Sequence, residues 1–315
     1  MVCFCLNACS SLGGSFGLGY IGDKKAYRQA RDLFDQGQYE QAITQLNAYI
    51  HKDYNVKRRE ARAYRLLGMS YEQTGQLSKA LETYLEALEF HGDNVPLLMA
   101  AGNLYQRTGL TDRSIELYER ALKEEPDNQA ALAGQAENYR TMGFYSRARD
   151  FYDRFFALNP NAPAQTRAKY ADTFLNQHNY EQAFINITMA LEQEKDSPDF
   201  WLISARAAYG LGRTQDALKD IDLALLLAPQ RRDLLATKAF MLFQSGQYES
   251  SLQTTHDILT LQPDNALGLL LKAFNLQALG KTKEARQILV QIAAQEEDSF
   301  VSKVAAKWRE EIASK

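Results

Sequence analysis

The chain has 315 residues, enough for one large domain or two ordinary ones, and a globular composition of 45% hydrophobic and 24% charged residues. Its 36 Lys and Arg face 39 Asp and Glu, a formal net charge of −3, which excludes the basic surplus that a dedicated nucleic-acid binder uses against phosphates. No apolar run approaches the roughly 20 residues of a membrane-spanning helix, and the 3 Cys all fall at or before Cys9, which excludes a disulfide framework or structural zinc site in the body of the chain.

Residues 1–22 carry no charge, five glycines and all of Cys3, Cys5 and Cys9, and are expected to stand apart as a tail. Leu6-Asn7-Ala8-Cys9, followed by Ser10-Ser11, resembles a bacterial lipobox. That chemistry needs a thiol for the thioether to lipid and a small residue before the cleaved bond. The resemblance implies lipidation of Cys9, a Ser/Gly-rich tether from Ser10 to Gly22, and, with Ser10 after the cysteine, placement at the outer membrane of a bacterial envelope. A signal peptide has roughly 15–30 residues and a positive start. Eight uncharged residues precede Cys9, so this reading expects a start further upstream. The alternatives are an unmodified tail on a cytoplasmic protein and reversible acylation at Cys3 or Cys5. Gly17-Leu18-Gly19-Tyr20-Ile21-Gly22 matches G-x-G-x-x-G formally. With no strand expected before it and no parallel sheet, dinucleotide binding is rejected.

From residue 23 onward three markers recur in phase. A small residue falls at Ala42, Ala80, Ser114, Ala148, Ala183, Ala217, Ser251 and Ala285, at intervals of 38, 34, 34, 35, 34, 34 and 34. A second keeps step at Ala30, Gly68, Gly102, Ala136, Ala171, Ala205, Ala239 and Ala273. The third is Gly37, Gly75, Gly109, Gly143, Gly212, Gly246 and Gly280, with His178 standing in once. Between them apolar residues keep helical spacing, as in Leu98, Ala101, Gly102 and Tyr105, then Ser114, Leu117, Tyr118 and Ala121. Each unit therefore reads as two helices, the first ended by the marker glycine. All seven prolines fall at unit junctions, where a missing N–H breaks no helix.

This 34-residue helix–turn–helix resembles the tetratricopeptide repeat. Residues 95–128 carry the pattern most fully, through Leu98, Gly102, Tyr105, Gly109, Tyr118, Ala121 and Pro126. Eight repeats are expected at 23–56, 61–94, 95–128, 129–162, 164–197, 198–231, 232–265 and 266–299. His178, Pro163 and the insertion Lys57-Arg58-Arg59-Glu60 depart from the pattern. The resemblance implies an all-α, right-handed α-solenoid of about eight helix pairs over 23–299. Residues 300–315 are expected to add a C-terminal capping helix, with Phe300, Val304, Trp308 and Ile312 on one face; a docking role for that helix is the alternative.

No metal or cofactor site is expected. His51, His91, His178 and His256 are far apart and form no H-x-x-x-H or H-E-x-x-H pair. No phosphate loop with Lys and no G-x-S-x-G elbow occurs, so an enzyme is not expected. The sequon Asn186-Ile187-Thr188 lies inside a predicted helix and is read as incidental.

The family resemblance places ligand contacts on the first helix of each pair, at its positions 2, 5, 9, 12 and 13, which share one helix face. In the N-terminal half these include Lys24, Tyr27, Arg31, Arg62, Arg65, Asn103, Arg107 and Arg140. The C-terminal half offers Leu202, Tyr209, Phe240, Phe243, Leu267, Leu270 and Phe274. Asp35, Glu72, Glu137, Asp172, Asp199 and Asp233 are interleaved, so the face is mixed in charge. The Lys/Asn pairs of a chaperone-type clamp are absent: the matching pairs are Tyr27/Arg31, Arg65/Met69 and Met99/Asn103. The aromatic residues are expected to anchor a partner's apolar side chains; cover by the C-terminal helix or a homodimer contact is the alternative. The expectation is a non-catalytic scaffold or adaptor that binds a peptide or partner protein, touches membrane only through its lipid, and assists assembly of a surface machine such as a pilus or secretion system. A cytosolic adaptor, or an enzyme or its regulatory subunit, are the rival readings.

Overall fold

The computed structural model describes residues 16–51, 60–293 and 303–308. The cysteines, the Lys57-Arg58-Arg59 insertion, Phe300 and Ile312 lie outside them. The chain divides into two compact units, Met1–Pro160 and Asn161–Lys315. In the first, α1 (Phe16–Asp35), α2 (Tyr39–His51), α3 (Ala61–Gln73), α4 (Leu77–His91), α5 (Val95–Arg107), α6 (Thr111–Glu124), α7 (Gln129–Thr141) and α8 (Tyr145–Leu158) pack as four successive pairs. In the second, α9 (Ala164–Asn176), α10 (Tyr180–Gln193), α11 (Pro198–Gly210), α12 (Thr214–Leu227), α13 (Arg232–Gln244), α14 (Tyr248–Leu261), α15 (Ala266–Ala278) and α16 (Thr282–Ala293) do the same. Within each unit the second helix of one pair packs on the first helix of the next. This is the all-α repeat architecture that the spacing predicts. One boundary differs: α1 begins at Phe16, so residues 16–22, expected as tether, continue its helix backwards. The glycines there cost about 1 kcal/mol each against Ala in a helix interior but do not break one.

Each turn between paired helices is the same device. The residue after the marker donates its N–H to the carbonyl five residues back, as in Leu110 to Tyr105 (2.9 Å), Arg213 to Ala208 (2.9 Å) and Lys281 to Leu276 (2.8 Å). This is a Schellman closure, and it requires a left-handed residue at the marker. Gly37, Gly75, Gly109, Gly143, Gly212, Gly246 and Gly280 supply φ between +74° and +79°. His178 adopts φ +58° in the fifth turn, with Asn179 still bonded to Phe174 at 3.0 Å. A non-glycine residue held there costs about 1–2 kcal/mol.

The other two marker series are the seam of each pair. Every alanine and serine among them has no exposed surface. Where the first helix has glycine, a tyrosine of the second lies flat on its backbone. A Cβ on Gly68 would stand 2.2 Å from Tyr84 Cε1, and one on Gly102 2.9 Å from the equivalent atom of Tyr118. Gly134 closes on the other side of the Tyr118 ring, 2.5 Å from its Cε2 by the same measure. Ser114 and Ser251 keep the seam satisfied by donating to the carbonyls of Gly102 (2.9 Å) and Ala239 (2.7 Å). Helix starts are fixed by side-chain caps: Asn94, Asn128 and Asn265 accept from the N–H groups of Leu97, Ala131 and Gly268.

At the far end of the second unit, residues 303–308 are helical. Ala305 is fully buried, with Val304 and Trp308 against Leu269, Leu270, Ala273 and Leu289.

The seam and the turn each set a stability outcome. Gly68→Ala should lose about 1–3 kcal/mol in urea denaturation through overpacking against Tyr84, although Ala is the better helix former, and Gly68→Ala/Tyr84→Leu should recover part of the loss. His178→Gly should gain about 0.5–1 kcal/mol by relieving the left-handed strain, read as a higher urea midpoint.

Candidate functional site

The first helices of the second unit share an open cavity of about 470 Å³. Register explains which side chains reach it. Leu175 and Tyr209 stand one 34-residue step apart on α9 and α11, as do Arg206 and Phe240 on α11 and α13. Leu267 and Leu271 complete the lining from α15, and Asn176, His178, Tyr180, Gly210, Ala236, Thr237 and Met241 fill the remainder. The Tyr180 ring lies against the Gly210 backbone, where a Cβ would come within 2.3 Å of Cδ1. Its hydroxyl is 2.9 Å from His178 Nδ1, so the strained turn residue faces the cavity with its ring held.

The floor is apolar and open to solvent. Phe240 is 47% exposed and Leu267 48%, large values for side chains of this size. The rim is polar and cationic: Arg206 is exposed, and the lining contains no Asp or Glu. The acidic residues at the starts of α11 and α13 are already engaged, Asp199 and Asp233 meeting Arg231 at 2.7 and 2.6 Å. Those two carboxylates push the Arg231 guanidinium pKa well above its usual range, and Arg231 holds Asp233 below the usual carboxylate value.

The sequence-predicted contact residues divide between the units and do not form one surface type. In the second unit Tyr209 and Phe240 line the cavity. Phe243 and Phe274 instead belong to an aromatic ladder: Tyr248 to Phe243 (5.5 Å between centroids), Phe243 stacked on Phe274 (6.0 Å), and Trp308 edge-on to Phe274 (4.3 Å). The helix at 303–308 thus covers Phe274, which is half-buried, and Leu270 is buried.

In the first unit four of the predicted cations, Arg31, Arg62, Arg107 and Arg140, meet carboxylates. Arg62 forms a two-point pair with Glu60 (2.7 and 3.2 Å) and lies 4.7 Å over the Tyr27 ring. Arg140 pairs with Glu137 at 3.0 Å through both Nε and a terminal nitrogen. Arg107 pairs with Glu72, whose other oxygen accepts the Tyr84 hydroxyl at 2.7 Å. Arg31 is a looser pair with Asp35 at 4.0 Å. The Asn103 amide oxygen accepts the Tyr118 hydroxyl at 2.6 Å, and burial pushes that phenol up to about 12. Arg65 is exposed and lines a smaller hollow of about 410 Å³ with Arg62, Asn94 and Pro96. Cys9 lies outside the described residues.

Of the lining residues only Tyr209, Phe240 and Leu267 are among the expected contacts, and two of the others matter most to the cavity's chemistry. Arg206 sits at the same helix position as Phe240 and Phe274, and counting 34 back from Phe240 finds it. His178 reads in sequence only as a substitute for glycine. Among the described residues no group of three or more His, Cys, Asp or Glu is placed to hold a metal ion. Asn186 of the sequon is buried, its amide donating to the Gln182 carbonyl at 2.9 Å.

Tetratricopeptide repeat sequence profiles match residues 27–95 and 99–164 with one profile and 167–305 with another. No curated protein sequence matches the chain. Among solved structures, a tetratricopeptide repeat protein from Parabacteroides merdae is similar at TM-score 0.57 and 18% identity, covering 81% of this chain and 98% of its own. YrrB, described as a repeat protein with an unusual peptide-binding site, is similar at TM-score 0.53 and 16% identity over 60% of this chain and 97% of its own. The hetero-tetramer Cut9–Hcn1 of APC/C contributes a chain similar at TM-score 0.57 and 15% identity, covering 96% of this chain and 57% of that one.

The self-paired cations generate a testable contrast. Full-length protein should elute early from a heparin column at about physiological salt, where surface charges are screened beyond about 8 Å. Glu60→Gln/Glu72→Gln/Glu137→Gln, which frees three arginines, should elute at distinctly higher salt.

Proposed function

We propose, because this chain belongs to the tetratricopeptide repeat family of protein-binding scaffolds, that it is a non-catalytic adaptor holding a peptide or partner protein on the first helices of its second unit. One observation carries the reading: Phe240 and Leu267, both about half exposed, converge on one cavity instead of lying singly on the surface. Scattered apolar side chains are ordinary on a protein surface, whereas a concave apolar floor with a few polar groups is the usual form of a binding site. The volume falls within the ~300–1,000 Å³ that such sites span. Phe243 is no independent anchor in this reading, since its ring is committed to Phe274 and Tyr248.

The sequence around Cys9 supports the cellular half of the proposal. A lipid there would confine the adaptor to an envelope membrane and raise its effective concentration for a partner in the same membrane, as an assembly factor for a pilus or secretion system requires. Mass spectrometry of protein recovered from its own host is expected to find a diacylglyceryl-modified Cys9. An unmodified Cys9 would make it a cytosolic adaptor with the same site.

The binding half is tested by site-specific photo-crosslinking in the host. A photoreactive amino acid introduced at Phe240 is expected to give a protein adduct. The same group at Leu226, which is 76% exposed on α12 and outside the cavity, should give none. Adducts from Leu226 alone would sink the assignment of the cavity.

A further inference from the structure

The cavity in the second unit has a chemistry more specific than a general peptide groove. Taking that cavity as the binding site, on which the inference rests, we infer that it selects a segment in which a bulky apolar side chain stands beside a carboxylate. The apolar group fills the space at Phe240 and Leu267, and the carboxylate pairs with Arg206.

The reason is charge left over. Among the described residues Arg206 is exposed at the cavity and has no carboxylate partner, while Arg62, Arg107, Arg140, Arg213 and Arg231 each have one. The nearby acids are already engaged. Asp199 and Asp233 share Arg231, and Asp172, one 34-residue step before Arg206, accepts the Asn176 amide at 3.2 Å. The lining itself contributes no negative charge. A wholly apolar occupant would cover the Phe240 floor and strip water from Arg206 without giving it a partner, which is costly for a guanidinium. A basic occupant would meet like charge. A carboxylate satisfies the guanidinium bidentately at the edge of an apolar surface, where such pairs are strongest. The His178 ring, fixed by Tyr180 on the same rim, adds a second nitrogen-bearing group and no acid.

Panning the full chain against phage-displayed random heptapeptides tests this without choosing a ligand beforehand. Enriched sequences are expected to place Leu, Ile, Met or Phe within two residues of Asp or Glu. A fluorescein-labelled copy of an enriched heptapeptide should bind Arg206→Ala about tenfold more weakly, the scale of one charge-assisted hydrogen-bonded contact. Binding to Phe240→Asp should be lost, with circular dichroism unchanged. Panning on Arg206→Glu should replace the acidic residues by Lys or Arg. Apolar heptapeptides without acids, bound equally by Arg206→Ala, would overturn the inference and leave the cavity as the binding site. Acidic heptapeptides that still bind Phe240→Asp would also overturn it. A dimer dissociated by Phe240→Asp would make a second copy the occupant and overturn it likewise. No enrichment over a bead control would overturn both the inference and the reading beneath it.

Discussion

The two helices of each pair meet across residues that have almost no side chain, and the rest of the fold is arranged around that distance. Ala30, Ala136, Ala171, Ala205, Ala239 and Ala273 are fully buried, and Gly68 and Gly102 take their places where a tyrosine must lie flat on the backbone. A close seam commits one face of the first helix to its partner and a second to the neighbouring pair. The remaining face is left without a packing duty. A residue there meets no packing requirement of the seam, so Arg206 and Phe240 can differ completely at equivalent places on consecutive first helices.

The repeat, its eight turns and its seam are legible in the sequence because each depends on one residue type at one spacing. A left-handed turn asks for glycine, and a buried helix contact asks for Ala, Gly or Ser. His178 shows the limit of that logic. Phase alone identifies its place and its strain, yet only the hydrogen bond to Tyr180 shows that its ring is turned to the cavity. The aromatic residues show a different limit. Phe240 and Phe274 occupy the same helix position, but one is open to solvent and the other lies under Trp308, a contact made by a segment more than thirty residues away. Which of two equivalent side chains stays free depends on long-range cover, and spacing carries no record of it.

The charge pattern separates the units in the same way. Composition reports a near balance of acids and bases, and it is the pairing that decides what the surface offers. In the first unit Glu60, Glu72 and Glu137 each take up an arginine of their own face. Pairs at a protein surface contribute little to stability, about 0–1 kcal/mol each, although the carboxylates here are partly covered. Their effect is to hold Arg62, Arg107 and Arg140 away from outside anions, while Arg65 stays exposed. In the second unit Arg231 takes two carboxylates at once, which leaves Arg206 as the cation beside the apolar floor.

The seat of Trp308 on Phe274 also occupies a docking surface. In a stacked array each pair presents to the next the surface on which growth continues, and a further pair would dock on α15 and α16. Ala305, Val304 and Trp308 already occupy that surface, and Ala305 is fully buried there. Duplication of a repeat within either unit keeps the 34-residue phase and lengthens the array. Duplication beyond α16 has to displace Trp308 from Phe274 first.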